Sequence, residues 1–206
     1  MISNAAWLAM LAVFSGLAMN IILQCGLDLK GVAFNKIISK EGVLASSGLF
    51  FVTVIILWLF FTFVRSFLFL GFLEYILIFP VSALFFSVFE YLLQYVLSRI
   101  MDEQKIKSLS GMFTISTPAG GISVAAALFI CMNTANRFLE IVILALGFAV
   151  GIALAVVLVN EIRRRSEMEA VPRWLRGGPL VLISLGLLSL IFSSGAVMLF
   201  TVLGAQ

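Results

Sequence analysis

The chain has 206 residues, of which 63% are hydrophobic and only 11% are charged, and its mean hydropathy is +1.20. An ordinary soluble domain is about 45–50% apolar and about 25% charged, so this composition excludes a water-soluble globular protein. The net charge of +3 does not imply nucleic acid, because basic residues beside membrane helices lie against anionic lipid headgroups. The sequence contains no histidine, which excludes zinc hydrolases and the Ser-His-Asp and Cys-His classes of catalytic site.

Six apolar segments are long enough to cross a hydrocarbon layer, which needs about 20 helical residues. They lie at residues 5–26, 43–64, 72–97, 112–133, 138–159 and 179–203. The polar gaps between them are too short to hold a soluble domain. The sequence therefore predicts an all-α integral membrane protein in which residues 1–206 form a single six-helix membrane domain.

The basic residues predict how this domain is oriented. Eleven of the thirteen Lys and Arg residues lie in three alternate gaps between segments, and only Arg65 and Arg137 lie elsewhere, one in each of the two remaining gaps. The gaps that contain the eleven are residues 27–42, 98–111 and 160–178. Because positive charge is retained on the cytoplasmic side, we expect these gaps to face the cytoplasm of a bacterial inner membrane and both termini to face outwards. Arg163 and Arg176 are then anchors at the inner headgroups.

Three of the segments carry an interruption. The first loses its apolar character around Cys25, the third contains Pro80, and the fourth contains Pro118, Gly120 and Gly121. Irregular backbone at membrane depth is tolerated only where it is buried in protein or lines a cavity, so the fourth segment has a candidate half-helix break. The alternative is that its small residues simply allow neighbouring helices to pack closely.

The first and fourth segments are equivalent if the chain consists of two three-helix halves, at approximately residues 1–103 and 104–206. An odd number of helices per half makes the second half run upside down relative to the first. This is the inverted-repeat plan, in which the functional centre lies near the middle of the membrane. No residue-level repeat supports it, so the prediction depends on the matched pair of interruptions.

Glu90 lies about two turns inside the third segment. A carboxylate at that depth is costly and usually faces protein or a water-filled path. Glu90 is therefore a candidate for an ion or proton path. The alternative is that its side chain reaches the nearby cytoplasmic interface.

The carboxy-terminal third carries a resemblance to a known family. It reads IRRRSEMEAVPRWLRGGPLVLISLGLLSLIFSSG from Ile162, and the helix before it contains Gly151. The third segment contains FPVSALFFSVFEY, which includes Glu90, and the first contains NIILQ from Asn20. Together these stretches resemble the small six-helix membrane subunits of the Rnf and Na+-translocating NADH:quinone reductase complexes, of the RnfA and NqrE type. An acid is usual in that family at the position of Glu90.

The resemblance implies electron passage across the bilayer. In that family, two homologous subunits of opposite orientation are thought to supply two cysteines each to one [2Fe-2S] cluster. The implied partners are membrane lipid, a homologous subunit of the RnfE/NqrD type, and other subunits of such a complex. A [2Fe-2S] cluster shared with the homologous subunit is the possible cofactor.

The chain departs from the family's cysteine pattern. Aligned on NIILQ, the expected cysteine position in the first half-helix holds Lys30, and the fourth half-helix has no cysteine. Cys131 lies about 15 Å further along a helix, so Cys25 is the one candidate ligand. The alternative is that both cysteines are small buried apolar residues.

The sequence thus predicts a membrane subunit of an Rnf/Nqr-like ion-translocating electron transport complex, with a non-catalytic or accessory role in the oxidoreductase. It would pair with an oppositely oriented homologous subunit to form the electron or ion path. One alternative is a stand-alone small-solute transporter or substrate-binding membrane subunit, with its site at the break in the fourth segment. Another is a structural scaffold that has lost the redox ligands.

Overall fold

The computed structural model describes residues 4–21, 40–67, 73–100, 118–135, 137–168, 172 and 178–204. The helices are α1 (Asn4–Val13), which continues into a π-helical segment (Phe14–Ala18), α2 (Lys40–Phe67), α3 (Leu73–Ile100), α4 (Pro118–Thr134), α5 (Phe138–Met168) and α6 (Gly178–Gly204). Within these ranges there is no β-strand. The all-α prediction is therefore confirmed.

Apolar helices confirm that the chain is a membrane protein. The stretches long and apolar enough to cross a bilayer are Ser46–Arg65 in α2, Phe138–Arg165 in α5 and Gly178–Leu199 in α6. Shorter apolar stretches occupy α1 with its π-helical segment, α3 and α4. Large apolar side chains cover the outside of the bundle, and Leu44 and Leu190 are 75% and 69% exposed. Lipid tails are the natural solvent for such a surface.

The first and fourth helices are shorter than the others. α1 has ten residues and its π-helical segment five, and α4 has 17, whereas the remaining helices have 27 to 31. At 1.5 Å per residue, these two helices extend about 22 and 26 Å. A hydrocarbon layer is about 30 Å thick. Neither helix, as far as it is described, crosses the whole layer.

The predicted boundary of the first helix is wrong, because helical structure ends at Ala18 rather than near residue 26. Near this end, the side chain of Asn20 bonds to a distant helix. The fifth helix is longer than the apolar segment predicted at residues 138–159. α5 continues to Met168, and an ion pair of 3.0 Å between Arg165 and Glu161, one turn apart, supports the extension beyond the apolar stretch.

The predicted interruption at Pro80 is wrong as well. Pro80 lies inside α3, which continues from Leu73 to Ile100. Membrane helices tolerate proline because neighbouring helices and Ser or Thr side chains satisfy the backbone groups that it frees. Two residues later, the Ser82 hydroxyl donates a hydrogen bond of 3.0 Å to the carbonyl of Phe79.

The main hydrophobic core lies between α2, α4 and α5. Its largest fully buried side chains include Phe148, Leu144, Leu57 and Leu128. A smaller apolar cluster joins α5 to α6 and to the start of α2; it consists of Val43, Ala155, Val156, Val159, Val181 and Leu185. Because α5 contributes to both clusters, it is the central helix of the bundle.

The helices of the two predicted halves are intertwined. α1 and its π-helical segment pack against α5 and α6, and α4 packs against α2 and α3. α2 packs against α5, and the pairs α2–α3 and α5–α6 are also in contact. Among the described residues, the main helix contacts are the same when α1, α2 and α3 are exchanged with α4, α5 and α6, except that the contact between α4 and α5 has no counterpart of similar extent between α1 and α2. The first helix of each half therefore packs on the second and third helices of the other.

Candidate functional site

Several of the residues predicted from the sequence lie outside the described part of the chain. Cys25 and Arg176 fall outside the described residues. Glu90 belongs to α3, but its side chain is not among those described. The roles of these three residues therefore stay predictions.

Pro118, Gly120 and Gly121 form the first turn of α4. A proline at the start of a helix needs no compensation, because the first backbone N–H groups have no partner within the helix. The structure thus places these residues inside a helix, at its beginning. Residues 101–117 lie outside the described part, so an interruption before α4 stays a prediction.

Arg163 lies near the end of α5, where its side chain is half-buried. The neighbouring Arg164 and Arg165 are exposed, and Arg165 pairs with Glu161. The helix therefore carries its basic residues at its end, beyond the apolar segment predicted at residues 138–159. This placement agrees with an anchor at a headgroup layer, although the side of the membrane remains a prediction.

Cys131 is a free cysteine in α4, and its side chain is fully buried in the main hydrophobic core. For this cysteine, the interpretation as a small buried apolar residue is confirmed. No group of three or more His, Cys, Asp or Glu side chains that could hold a metal ion occurs among the described residues.

A buried polar site lies where the first helix ends. Ser15, in the π-helical segment, is fully buried, and Asn20, just after that segment, is 1% exposed. Both residues belong to an otherwise apolar stretch, so their polar groups need partners within the protein. The Ser15 hydroxyl donates to the carbonyl of Leu11 at 3.0 Å and approaches that of Ala12 at 3.3 Å.

Asn20 connects two helices. Its Nδ2 group donates a hydrogen bond of 2.8 Å to the backbone carbonyl of Gly151 in α5. The same group donates a hydrogen bond of 3.2 Å to the carbonyl of Gly16 in its own helix. A primary amide carries two N–H donors, and both are used here on backbone carbonyls of different helices.

Two glycines of α5 allow this contact. A Cβ atom added at Gly151 would lie 2.6 Å from the Gly16 carbonyl oxygen and 2.9 Å from Asn20 Nδ2. A Cβ atom at Gly147 would collide with the Ser15 hydroxyl. Glycines spaced four residues apart let the backbones of two membrane helices approach closely. The Gly147 and Gly151 pair is therefore the surface on which the first helix ends.

The π-helical segment changes how the helix ends. The Met19 N–H donates to the carbonyl of Phe14 at 2.7 Å, five residues earlier, and the Met19 backbone leaves the helical region at φ −112° and ψ 37°. A π-helical turn widens the helix and frequently occurs at functional sites. Here it directs Ser15 and Asn20 towards α5. We call Ser15, Asn20, Gly147 and Gly151 the helix-end site.

The site consists of amide, hydroxyl and carbonyl groups and contains no titratable side chain. These groups hold the end of the first helix against the backbone of α5. Sequence reasoning singled out Asn20 and Gly151 separately, each within a stretch that resembles the family, but it did not connect them. The spacing of Gly147 and Gly151 in the sequence indicates close helix packing. The sequence does not indicate which helix packs there.

Comparison with known proteins gives a local similarity. No family model matches the chain. Over 70 residues, the chain is 36% identical to the A subunit of the Na(+)-translocating ferredoxin:NAD(+) oxidoreductase complex of Acetobacterium woodii. The aligned stretch covers 34% of this chain and 36% of that relative, so the match spans about a third of each protein. Over that stretch, the chain is similar to a component of an Rnf complex.

Proposed function

We propose that the chain is a membrane subunit of an Rnf-like, ion-translocating electron transport complex. The observation that carries the proposal is the 36% identity over 70 residues to the A subunit of a Na(+)-translocating ferredoxin:NAD(+) oxidoreductase complex. The fold supports it, because both the similarity and the apolar helices indicate a membrane subunit rather than a soluble electron carrier. Its role is to shape the path of electrons or ions, in an accessory rather than a catalytic capacity.

The proposal includes a partner subunit of the same fold in the opposite orientation. Its support is the internal organisation of this chain, in which α1 and α4 each pack on helices of the other predicted half. A chain built as two inverted halves presents related surfaces towards both sides of the membrane. An inverted homologue could then form equivalent contacts.

A [2Fe-2S] cluster held by this chain alone does not fit the residues present. Iron–sulfur clusters of this type take four thiolates, whereas the chain has two cysteines. One of them, Cys131, is enclosed by the apolar core. A cluster shared with a partner subunit would take one thiolate, that of Cys25, from this chain, and Glu90 would be the candidate for an ion path.

Purification from native membranes tests this function. A tagged chain, solubilised in mild detergent, is expected to co-purify with a homologous membrane protein and with flavin-carrying or iron–sulfur subunits, identified by mass spectrometry and by the visible spectrum. A tagged membrane protein of similar size and unrelated fold is the control for nonspecific capture. Recovery of the chain alone, without a homologous or redox subunit, would contradict the proposal.

Substitution of Cys25 separates a ligand from a scaffold. If Cys25 is a shared ligand, Cys25→Ala abolishes electron flux through the purified complex while the complex still assembles. Cys131→Ala is the matched control, since Cys131 is buried in the core and its replacement leaves a wild-type flux in an assembled complex. An unchanged flux in Cys25→Ala would instead support a scaffold that has no redox ligand.

The second candidate function is a stand-alone small-solute transporter or substrate-binding membrane subunit. It is favoured by the end of the first helix at Ala18, inside an apolar segment, because discontinuous helices form the substrate sites of many transporters. The isolated chain would then bind a solute and carry no redox partner. Equilibrium binding with a panel of small metabolites, together with the purification above, distinguishes the two functions.

A further inference from the structure

The first helix stops inside an apolar stretch that has neither a proline nor a glycine directly after the helix end. Residues 13–23 contain no proline, and Gly16 lies within the helical segment rather than after it. Ile21, Ile22 and Leu23 continue the apolar run. In a membrane, a helix is expected to continue through such a sequence, because every backbone group must be satisfied within the protein.

The side chain of Asn20 supplies a hydrogen-bond donor that the next helical turn would otherwise have supplied. In a continuing α-helix, the backbone N–H of Asn20 would bond to the carbonyl of Gly16, four residues earlier. Instead, Asn20 Nδ2 bonds to that carbonyl at 3.2 Å. The helix can therefore end here without leaving the Gly16 carbonyl dependent on a following turn.

The same amide fixes the direction of the helix end. Its bond of 2.8 Å to the Gly151 carbonyl connects the end to the backbone of α5, which is rigid and central in the bundle. The glycines make this possible, since a Cβ atom at Gly151 would occupy the space of Asn20 Nδ2 and the Gly16 carbonyl. The hydrogen bond and the close packing thus both hold the end of the first helix at Gly151.

We propose that Asn20 is a positioning residue that ends the first helix and holds its end against Gly147 and Gly151 of α5. Replacing the amide by an apolar side chain allows the helix to continue beyond Met19. This proposal does not depend on the proposed function, and it holds equally for a redox subunit or for a transporter. Its failure would leave the electron-transport proposal standing, and the reverse is also true.

Solid-state NMR on the full chain in lipid bilayers tests the hydrogen bonds. With asparagine labelled with ¹⁵N and glycine labelled at the carbonyl carbon, Asn20 Nδ2 is expected to give cross-peaks to the carbonyl carbons of Gly16 and Gly151. Both are expected to be lost in Asn20→Leu and retained in Asn133→Leu. Asn133 is the matched control, because its Nδ2 donates to the carbonyl of Phe129 in its own helix at 2.7 Å from an exposed position. Absence of the Gly151 cross-peak from the wild-type chain would overturn the proposal.

The Cα chemical shift of ¹³C-labelled Met19 reports where the helix ends, and Met19→Leu assigns the signal. In the wild type, the shift is expected outside the helical range, in accord with its φ and ψ values. It is expected to move into the helical range in Asn20→Leu and to stay unchanged in Asn133→Leu. If Asn20→Leu does not insert, Asn20→Ala tests the same expectation. A Met19 shift that remains outside the helical range without the amide would show that the helix ends for another reason.

Discussion

The side-chain amide of Asn20 and the backbone carbonyl of Gly151 form a hydrogen bond of 2.8 Å between residues that are 131 positions apart in the chain. This bond joins the end of the first helix to the central helix of the bundle. Both residues lie in stretches that resemble the Rnf and Nqr family, but the resemblance did not place them together. The structure therefore identifies the helix-end site as a unit whose parts the sequence showed separately.

Gly151→Ala is expected to lower the free energy of unfolding by about 1–3 kcal/mol, which is typical of overpacking a close contact. The added methyl group would overlap the Gly16 carbonyl and Asn20 Nδ2. Unfolding in mixed micelles with increasing SDS measures the effect. Gly186→Ala in α6 is the control, because no described atom outside its own helix lies within 4 Å of its added Cβ, and its change should stay within about 0.5 kcal/mol. Equal effects of the two substitutions would contradict the close packing at Gly151.

Asn20→Leu is expected to lower the free energy of unfolding by about 0.6–1.7 kcal/mol, the range measured for interhelical hydrogen bonds in a membrane protein. Asn133→Leu should have a smaller effect, since its bond to Phe129 stays within one exposed helix turn. The same SDS titration compares them. If Asn133→Leu lowers the free energy of unfolding as much as Asn20→Leu does, the hydrogen bond to Gly151 makes no measurable contribution to stability.

Leu57→Ala in α2 is expected to destabilise the bundle by about 1–3 kcal/mol, since Leu57 is fully buried in the main core and its loss leaves a cavity. This loss of stability is at the lower end of the range for core leucines. Lipid tails are as apolar as leucine, so the loss comes mainly from the missing packing contacts. Leu190→Ala, at a position that is 69% exposed on α6, should change stability by less than about 0.5 kcal/mol. A comparable loss at Leu190 would indicate that this face of α6 is covered by protein.

Replacing Arg163, Arg164 and Arg165 by Gln is expected to weaken retention of the end of α5 in the cytoplasm. Positive charge close to a helix end determines which side of the membrane it occupies. A reporter fused to the carboxyl terminus would then be found in both orientations. Arg65→Gln is the control, because Arg65 lies at the opposite end of its helix from the basic gap. A uniform wild-type orientation of the triple variant would show that other charges determine the topology.

The sequence predicted the helices well where a long apolar segment and its flanking charged residues determine them. The positions of α2, α3 and α6 follow the apolar segments closely, because a bilayer imposes both length and backbone hydrogen bonding. The fold class followed for the same reason. The presence of the helices could therefore be predicted from the sequence, whereas some of the helix ends could not.

The differences between the predictions and the structure involve side-chain and helix partners that a hydropathy pattern does not include. Pro80 does not interrupt α3, since a membrane helix can satisfy the freed backbone groups through its neighbours. The first helix ends early at a point where Asn20 bonds to Gly151, a contact that no local pattern shows. α5 extends beyond the predicted apolar segment, where an exposed pair between Glu161 and Arg165 contributes about 0.2–0.5 kcal/mol.

The crossing pattern is central, because two inverted halves of three helices each give an even number of crossings and place both termini on the same side of the membrane. Single cysteines introduced at residues 3 and 205 of a chain with Cys25→Ala and Cys131→Ala, tested in intact spheroplasts, measure it directly. Both are expected to react with a membrane-impermeant maleimide, whereas a cysteine at residue 104 is expected to react only after permeabilisation. Labelling of the two termini from opposite sides, or of both only after permeabilisation, would contradict the architecture.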